Sequence, residues 1–218
     1  MGLVRGSNPP PVPSCSFLSA VFNIIKDAVA APNMSRVSDV IARMRQHPSV
    51  VMEQRNGCGA LCGLAWDAEN KKLIGATGGI EVVLAAMKQH PSEAGVQGNG
   101  CAALGDLPLN NAENQKLIGA AGGIDAVLAA MKQHPSDAKV QGGGCLALNN
   151  LADNNAENQM LIVAAGGIEA VEAAMSQHPA VARVQEQGGG RVKCFNPHRW
   201  RDRGPPPLRL LLHQTCHG

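Results

Sequence analysis

The chain of 218 residues is 44% apolar, which is enough to build a core, but it contains no Tyr, three Phe and two Trp. A core made mainly of Ala, Leu, Ile, Val and Met favours closely packed helices over sandwiches or barrels, whose strands use aromatic and β-branched residues. The net charge of +2 hides an acidic centre, because residues 34–190 hold 11 Lys and Arg against 15 Asp and Glu while residues 191–218 hold six against one, which argues against a phosphate-binding surface in the centre.

The N-terminal region divides into two predicted segments. Residues 1–13 contain four Pro and a single Arg, an order that is wrong for a secretory signal, and we expect them to be disordered. Residues 14–35 are predicted to form an amphipathic capping helix over the edge of the array that follows, with Phe17 and Phe22 on its apolar face. A helix lying in a membrane interface is a less favoured interpretation, because Lys26 is its only cation.

The expected location of the chain is the cytoplasm, with the nucleus as the alternative. No apolar run approaches the roughly 20 residues that are needed to cross a bilayer. The seven Cys are therefore interpreted as reduced thiols and not as a disulfide framework.

The centre of the chain repeats itself with a period near 43 residues, which is typical of helical repeat proteins. Four markers keep one register: His-Pro at 47, 90, 134 and 178, Gly-Gly-Ile at 78, 122 and 166, Asp/Asn-Ala-Glu-Asn at 67, 111 and 155, and Cys at 58, 101 and 145. The register predicts an array over residues 36–190, with units at about 36–66, 67–109, 110–153 and 154–190.

Each complete unit is predicted to contain three helices, as the unit 110–153 shows. Asn111 is placed to cap a first helix that ends at Gly122-Gly123, and His134-Pro135 ends the second helix. Ser136 is expected to cap the third. The predicted core side chains of the second and third helices are Ile124, Val127, Leu128, Met131, Val140, Cys145, Leu148 and Leu151.

The third helices are rich in Gly, and each interior Gly costs about 1 kcal/mol relative to Ala. We therefore expect fraying or kinks at residues 98–100, 142–144 and 188–190. One Gln recurs at the same phase of every unit, at positions 54, 97, 141 and 185. The favoured interpretation is a repeat residue without a partner role, and the alternative is a bond between stacked units.

The repeat resembles the armadillo family over about residues 36–188. The segments that carry the resemblance are Asn-Ala-Glu-Asn-Gln at 155–159, Ala-Gly-Gly-Ile at 165–168 and Ala-Leu-Asn-Asn-Leu at 147–151. The resemblance implies an all-α fold, a right-handed α-solenoid of three-helix repeats whose third helices line a concave binding face. It also implies a protein-interaction scaffold or adaptor, with protein partners that the sequence does not identify.

The concave face implied by the resemblance lacks the ladder of peptide-transport members, which pairs a Trp with an Asn on each third helix. The Trp positions are Gly59, Ala102 and Leu146 here, and of the Asn positions only Asn150 is kept. The candidate partner-binding residues on this face are Asn56, Asn99, Asp106, Lys139, Leu146 and Asn150. Because the face is short of aromatic anchors, an alternative interpretation is that it binds nothing tightly.

No catalytic site, cofactor site or small-molecule substrate is predicted. The four His-Pro histidines recur once per unit, about 10 Å apart, whereas a zinc ion needs its ligands about 2 Å from one centre. No Gly-Lys-Ser/Thr loop follows a strand, and no Ser or Cys lies in a nucleophile elbow. We therefore expect a binding protein and not an enzyme.

The repeat register breaks near residue 189, where Gly stands in place of the expected Cys. Residues 191–218 are predicted to be a disordered, basic tail containing Pro and Arg, interpreted as read-through, frame-shifted or alternative-exon sequence. One alternative function is that this tail binds metal or nucleic acid, although its Cys and His spacing matches no known zinc module. Another is that the chain is part of a longer array and self-associates through an uncapped C-terminal edge.

Overall fold

The computed structural model describes residues 35–189, and this part of the chain contains helices and no strand. The helices are α1 (35–46), α2 (Val51–Leu64), α3 (Ala68–Ala76), α4 (Gly79–Gln89), α5 (Ala94–Asp106), α6 (Ala112–Ala120), α7 (Gly123–Gln133), α8 (Ala138–Ala152), α9 (Ala156–Ala164), α10 (Gly167–Gln177) and α11 (Ala182–Gly189). The predicted all-α class is confirmed for the described residues. The predictions for 1–13, for 14–35 except its last residue, and for the tail 191–218 lie outside them.

The helices repeat in groups of three. Residues 67–109 contain α3 to α5, residues 110–153 contain α6 to α8, and residues 154–189 contain α9 to α11, while residues 36–66 contain only α1 and α2. Equivalent helices of successive units pack against each other, as α3 does on α6 and α4 on α7. The third helices α2, α5, α8 and α11 pack in the same way and form what we call the third-helix layer.

The helix ends follow from residues that recur in each unit. Asn111 caps α6, since its side chain accepts a hydrogen bond from the Asn114 N–H, as predicted. Gly122 has φ +78° and turns the chain from the first helix into the second, also as predicted. The prediction that Ser136 caps α8 is wrong. Asp137 is the cap, because its carboxylate reaches two backbone N–H groups of the first turn.

The predicted core residues of unit 110–153 are buried, except Leu128, which is half-buried. In every unit a Met of the second helix packs on a Gly of the third, in the pairs Met44–Gly57, Met87–Gly100, Met131–Gly144 and Met175–Gly188. A Cβ at Gly100 would lie 2.6 Å from Met87 Cγ, so these glycines allow the two helices to approach closely. The predicted fraying is wrong for α5 and α8, which are continuous through their Gly residues.

The recurring Gln bonds within its own unit and not between units. Gln97 Nε2 donates to the carbonyls of Met87 and His90, at 2.7 and 2.9 Å, and so satisfies the end of the second helix. Gln54, Gln141 and Gln185 make the same two bonds in their units. The alternative of an inter-unit bond is wrong, because the short His-Pro turn places this Gln over the preceding helix.

The His-Pro motif provides a bond between units instead. His90 Nε2 donates to the Pro48 carbonyl at 2.8 Å, and His134 and His178 donate to Pro91 and Pro135 at 2.7 and 2.8 Å. A carbonyl oxygen only accepts, so each of these rings carries a proton on Nε2. We call this series the His–Pro ladder.

Candidate functional site

The six predicted partner-binding residues all lie in the third-helix layer, on α2, α5 and α8. Asn56 and Lys139 are exposed, and Asn99, Asp106 and Leu146 are half-buried. Asn150 is only 7% exposed, and its Nδ2 donates to the Gly105 carbonyl at 2.8 Å. The amide of Asn150 therefore joins α8 to α5, and the other five residues keep surface that a partner can contact.

Asn99 links three helices of the layer. Its Nδ2 donates to the Arg55 carbonyl on α2 at 2.7 Å, and its Oδ1 accepts from Lys139 Nζ on α8 at 2.5 Å. The structure thus brings two predicted residues, Asn99 and Lys139, into direct contact. The bond holds the Lys139 ammonium in place above α5.

A basic side chain lies across a glycine at each interface between neighbouring third helices. A Cβ added to Gly95 would lie 3.0 Å from Arg55 Cδ, and one added to Gly98 would lie 3.2 Å from Lys139 Cγ. Gly142 has the same relation to Arg183, at 3.2 Å. The missing glycine side chain leaves room for the aliphatic stem of the cation. We call Arg55, Lys139 and Arg183, all exposed, the cation row.

Lys139 was predicted from the sequence as a site residue, whereas Arg55 and Arg183 were not. The signal lay at two repeat positions, which are three and six residues before the position of the recurring Cys. At each interface one of these positions has a basic residue and the other has a Gly, but the order changes along the array. One interface has Arg55 at the first position and Gly95 at the second. The next two have Gly98 with Lys139 and Gly142 with Arg183.

Asp106 adds one negative group to the layer. Cys62 Sγ donates to Asp106 Oδ2 at 3.1 Å. Burial, followed by this hydrogen bond and the nearby carboxylate charge, raises the pKa of the Cys62 thiol to about 12, while the charges of Arg183 and Lys139 act in the opposite direction. The thiol is therefore protonated at neutral pH and serves as a donor, not as a nucleophile.

Three further thiols are held in their neutral form by burial. Desolvation raises the pKa of Cys58 and of Cys101 to about 12 and that of Cys145 to about 11. These cysteines behave as small core side chains, as their shared repeat phase predicted.

We expect the buried thiols to make stability depend on alkaline pH. Their pKa is raised in the folded state, so the stabilisation is complete below the unfolded-state value near 9 and is lost as pH rises from about 9 to 12. The urea midpoint should therefore fall between pH 8 and pH 10.5. A Cys101→Ala variant should lose less stability over this interval than the parent chain. Equal losses in the two proteins would contradict this account.

Residues 35–189 show neither a metal-binding cluster nor a membrane-spanning helix. No group of three or more His, Cys, Asp or Glu is arranged to hold a metal ion. The Cys and His residues of the tail lie outside this part of the chain. No single helix of the described part has the length and apolar character to cross a membrane, and α9 with α10, which reach that length together, are bent by 69°.

The third-helix layer is thus equipped for non-covalent contacts. It presents the three cations of the cation row, each packed over a glycine that we call its seat. The Asn99 amide positions one of these cations, and the Asp106 carboxylate accepts a hydrogen bond from a thiol. No protein-family model, no curated protein sequence and no solved structure gives a significant match to this chain.

Proposed function

We propose that residues 36–190 form a right-handed α-solenoid of armadillo-type repeats that acts as a protein-interaction scaffold without catalysis. The packing of equivalent helices in successive units supports the repeat architecture. The third-helix layer would be its concave face and would bind an extended, acidic segment of a partner protein. The observation that carries this proposal is the cation row, which supplies one positive charge at every interface of the layer.

The spacing of the cation row suits an extended chain. Packed helices lie about 8–10 Å apart, so cations carried by successive interfaces repeat at about that distance. An extended segment rises about 3.3 Å per residue, so every third residue can meet the next cation. Acidic residues three apart are therefore the expected feature of the partner.

The seats of the cations lower the entropic cost of binding. The stems of Lys139 and Arg183 rest on Gly98 and Gly142, and Lys139 is also held by Asn99. A side chain that is ordered before binding loses less rotamer freedom when the partner arrives. Charge complementarity across such a surface mainly provides selection among partners.

The proposal predicts that Lys139→Glu will weaken binding of an acidic peptide about tenfold or more. The probe is a fluorescent ten-residue peptide with Glu at positions 1, 4, 7 and 10 in a Gly/Ser background, measured by anisotropy at low salt. The loss follows because the substitution removes the central cation and introduces repulsion, together worth about 1–2 kcal/mol. A peptide with Gln in place of Glu should bind poorly to both proteins.

The matched control is Lys116→Glu, which changes the charge equally at an exposed position of α6, a helix outside the third-helix layer. It should leave the affinity within about twofold of the parent, because only net charge changes. Similar losses in the two variants, or equal binding of the Glu and Gln peptides, would show that the cation row is not the binding surface.

A further inference from the structure

The unit 36–66 differs from the later units at two positions that those units bury. The later units have Ala on the second helix and Val on the third, and all six side chains are at most 2% exposed: Ala86, Ala130, Ala174, Val96, Val140 and Val184. At the equivalent positions the first unit has Arg43 and Glu53. The second helix of each later unit packs on the third helix of the unit before it, as α4 does on α2. The first unit thus has charges where the others have an apolar stacking surface.

Arg43 and Glu53 bind each other at this edge. Arg43 Nε lies 2.5 Å from Glu53 Oε2, and Arg43 Nη2 lies 2.7 Å from Oε1, which is a bidentate pair. The side chains are 68% and 23% exposed. They border a cavity of about 230 Å³ whose other walls include Val40, Met44 and Ala60. An apolar recess is therefore present at the edge, with an ion pair at its rim.

The two ends of the described array match at two kinds of position that form bonds between units. Within residues 35–189 the His–Pro ladder stops at His47, which is exposed, and at Pro179. A second copy stacked head to tail would place its His47 at the Pro179 carbonyl and continue the ladder. Its Asn56 would meet the Glu186 carbonyl, as Asn99 meets that of Arg55.

The charges of the end units also match. Residues 36–66 contain four Arg against two acidic residues, whereas residues 154–189 contain four Glu against one Arg. The first unit of one copy and the last unit of another therefore attract each other, and the ladder positions agree. The ion pair opposes close stacking, since burying it would remove two charges from water.

We infer that the array is able to stack head to tail on a second copy of itself, and that the Arg43–Glu53 pair prevents this association. The pair gives the first unit charged side chains where an interior unit has Ala and Val. Removing the pair allows the two copies to associate. Because a head-to-tail contact leaves one free edge at each end, its product grows with concentration and does not stop at a dimer.

The test restores the interior residues in the full chain as Arg43→Ala/Glu53→Val. Sedimentation velocity should show mass rising with concentration, with an association constant at least tenfold above that of the parent chain. A charge-swapped control, Arg43→Glu/Glu53→Arg, keeps an ion pair and should sediment like the parent. A folded Ala/Val variant that does not associate more than the parent overturns the inference, as does a control that associates equally.

Two further variants keep the test decisive. If circular dichroism shows that the Ala/Val variant does not fold, Arg43→Gln/Glu53→Gln removes both charges with less change of shape. It should associate more than the parent, and its failure to do so overturns the inference. Adding His47→Ala to the associating variant should weaken association several-fold, because the bond to Pro179 is lost. An unchanged association constant would exclude the head-to-tail geometry.

Discussion

Replacing Gly143 with Leu is expected to lower the free energy of unfolding by about 3 kcal/mol, because α5 and α8 touch at this position. A Cβ at Gly143 would lie 3.1 Å from Cys101 Cβ, 3.3 Å from the Ala102 nitrogen and 3.4 Å from the Gly98 oxygen. Two of these atoms belong to the α5 backbone, so the larger side chain must push the helices apart. Urea unfolding followed by circular dichroism at 222 nm measures the effect.

Gly63→Leu is the matched control for Gly143. It lies in the same third-helix layer, on α2, and a Cβ there meets no atom within 4 Å. Replacing an exposed helical Gly removes a conformational cost of about 1 kcal/mol, so this variant should be as stable as the parent or more so. A comparable destabilisation at both positions would show that helix propensity, and not the α5–α8 contact, determines the result.

The second large effect is expected for Gln97→Ala, at about 2–3 kcal/mol of unfolding free energy. Gln97 is 3% exposed, and its amide satisfies the Met87 and His90 carbonyls. Truncation leaves the Met87 carbonyl at the end of α4 without this donor, away from solvent, and a buried unpaired group costs about 1–3 kcal/mol. The His90 carbonyl loses one bond but keeps the one from the Glu93 N–H.

The repeat supplies a control for Gln97 in the last described unit. Gln185 makes the same two bonds, to Met175 and His178, but in a half-buried setting that water can enter. Gln185→Ala should therefore cost only about 1 kcal/mol. If both variants lose the same free energy of unfolding in urea, burial does not explain the contribution of the Gln97 amide.

The sequence predicted the helices well because their ends are determined by local chemistry. Asn111 and Gly122 lie where a side-chain cap and a left-handed residue are needed, and the recurring markers transfer this result to the other two units that have three helices. Ser136 was the wrong cap because Ser and Asp are adjacent there and both can cap, so composition does not choose between them.

Contacts between units could not be predicted in the same way. Periodicity shows which residues share a phase but not how far one helix is offset along its neighbour. That offset places Lys139 over Gly98 and directs His90 to Pro48, whereas the sequence had offered only the Gln series, as an alternative, for an inter-unit bond. Of the six candidate site residues, Asn150 is buried for the same reason, since its partner Gly105 lies in another unit.

The alternation of cations and glycines means that the units are not interchangeable modules. Removing residues 67–109 from the chain would set Arg55 against Lys139, and two basic stems would compete for one seat. Removing residues 110–153 would set Gly98 against Arg183, and a matched pair would be preserved. Repeat arrays change length by gain and loss of whole units. In this array, loss of the third unit (110–153) should disturb the packing less than loss of the second (67–109).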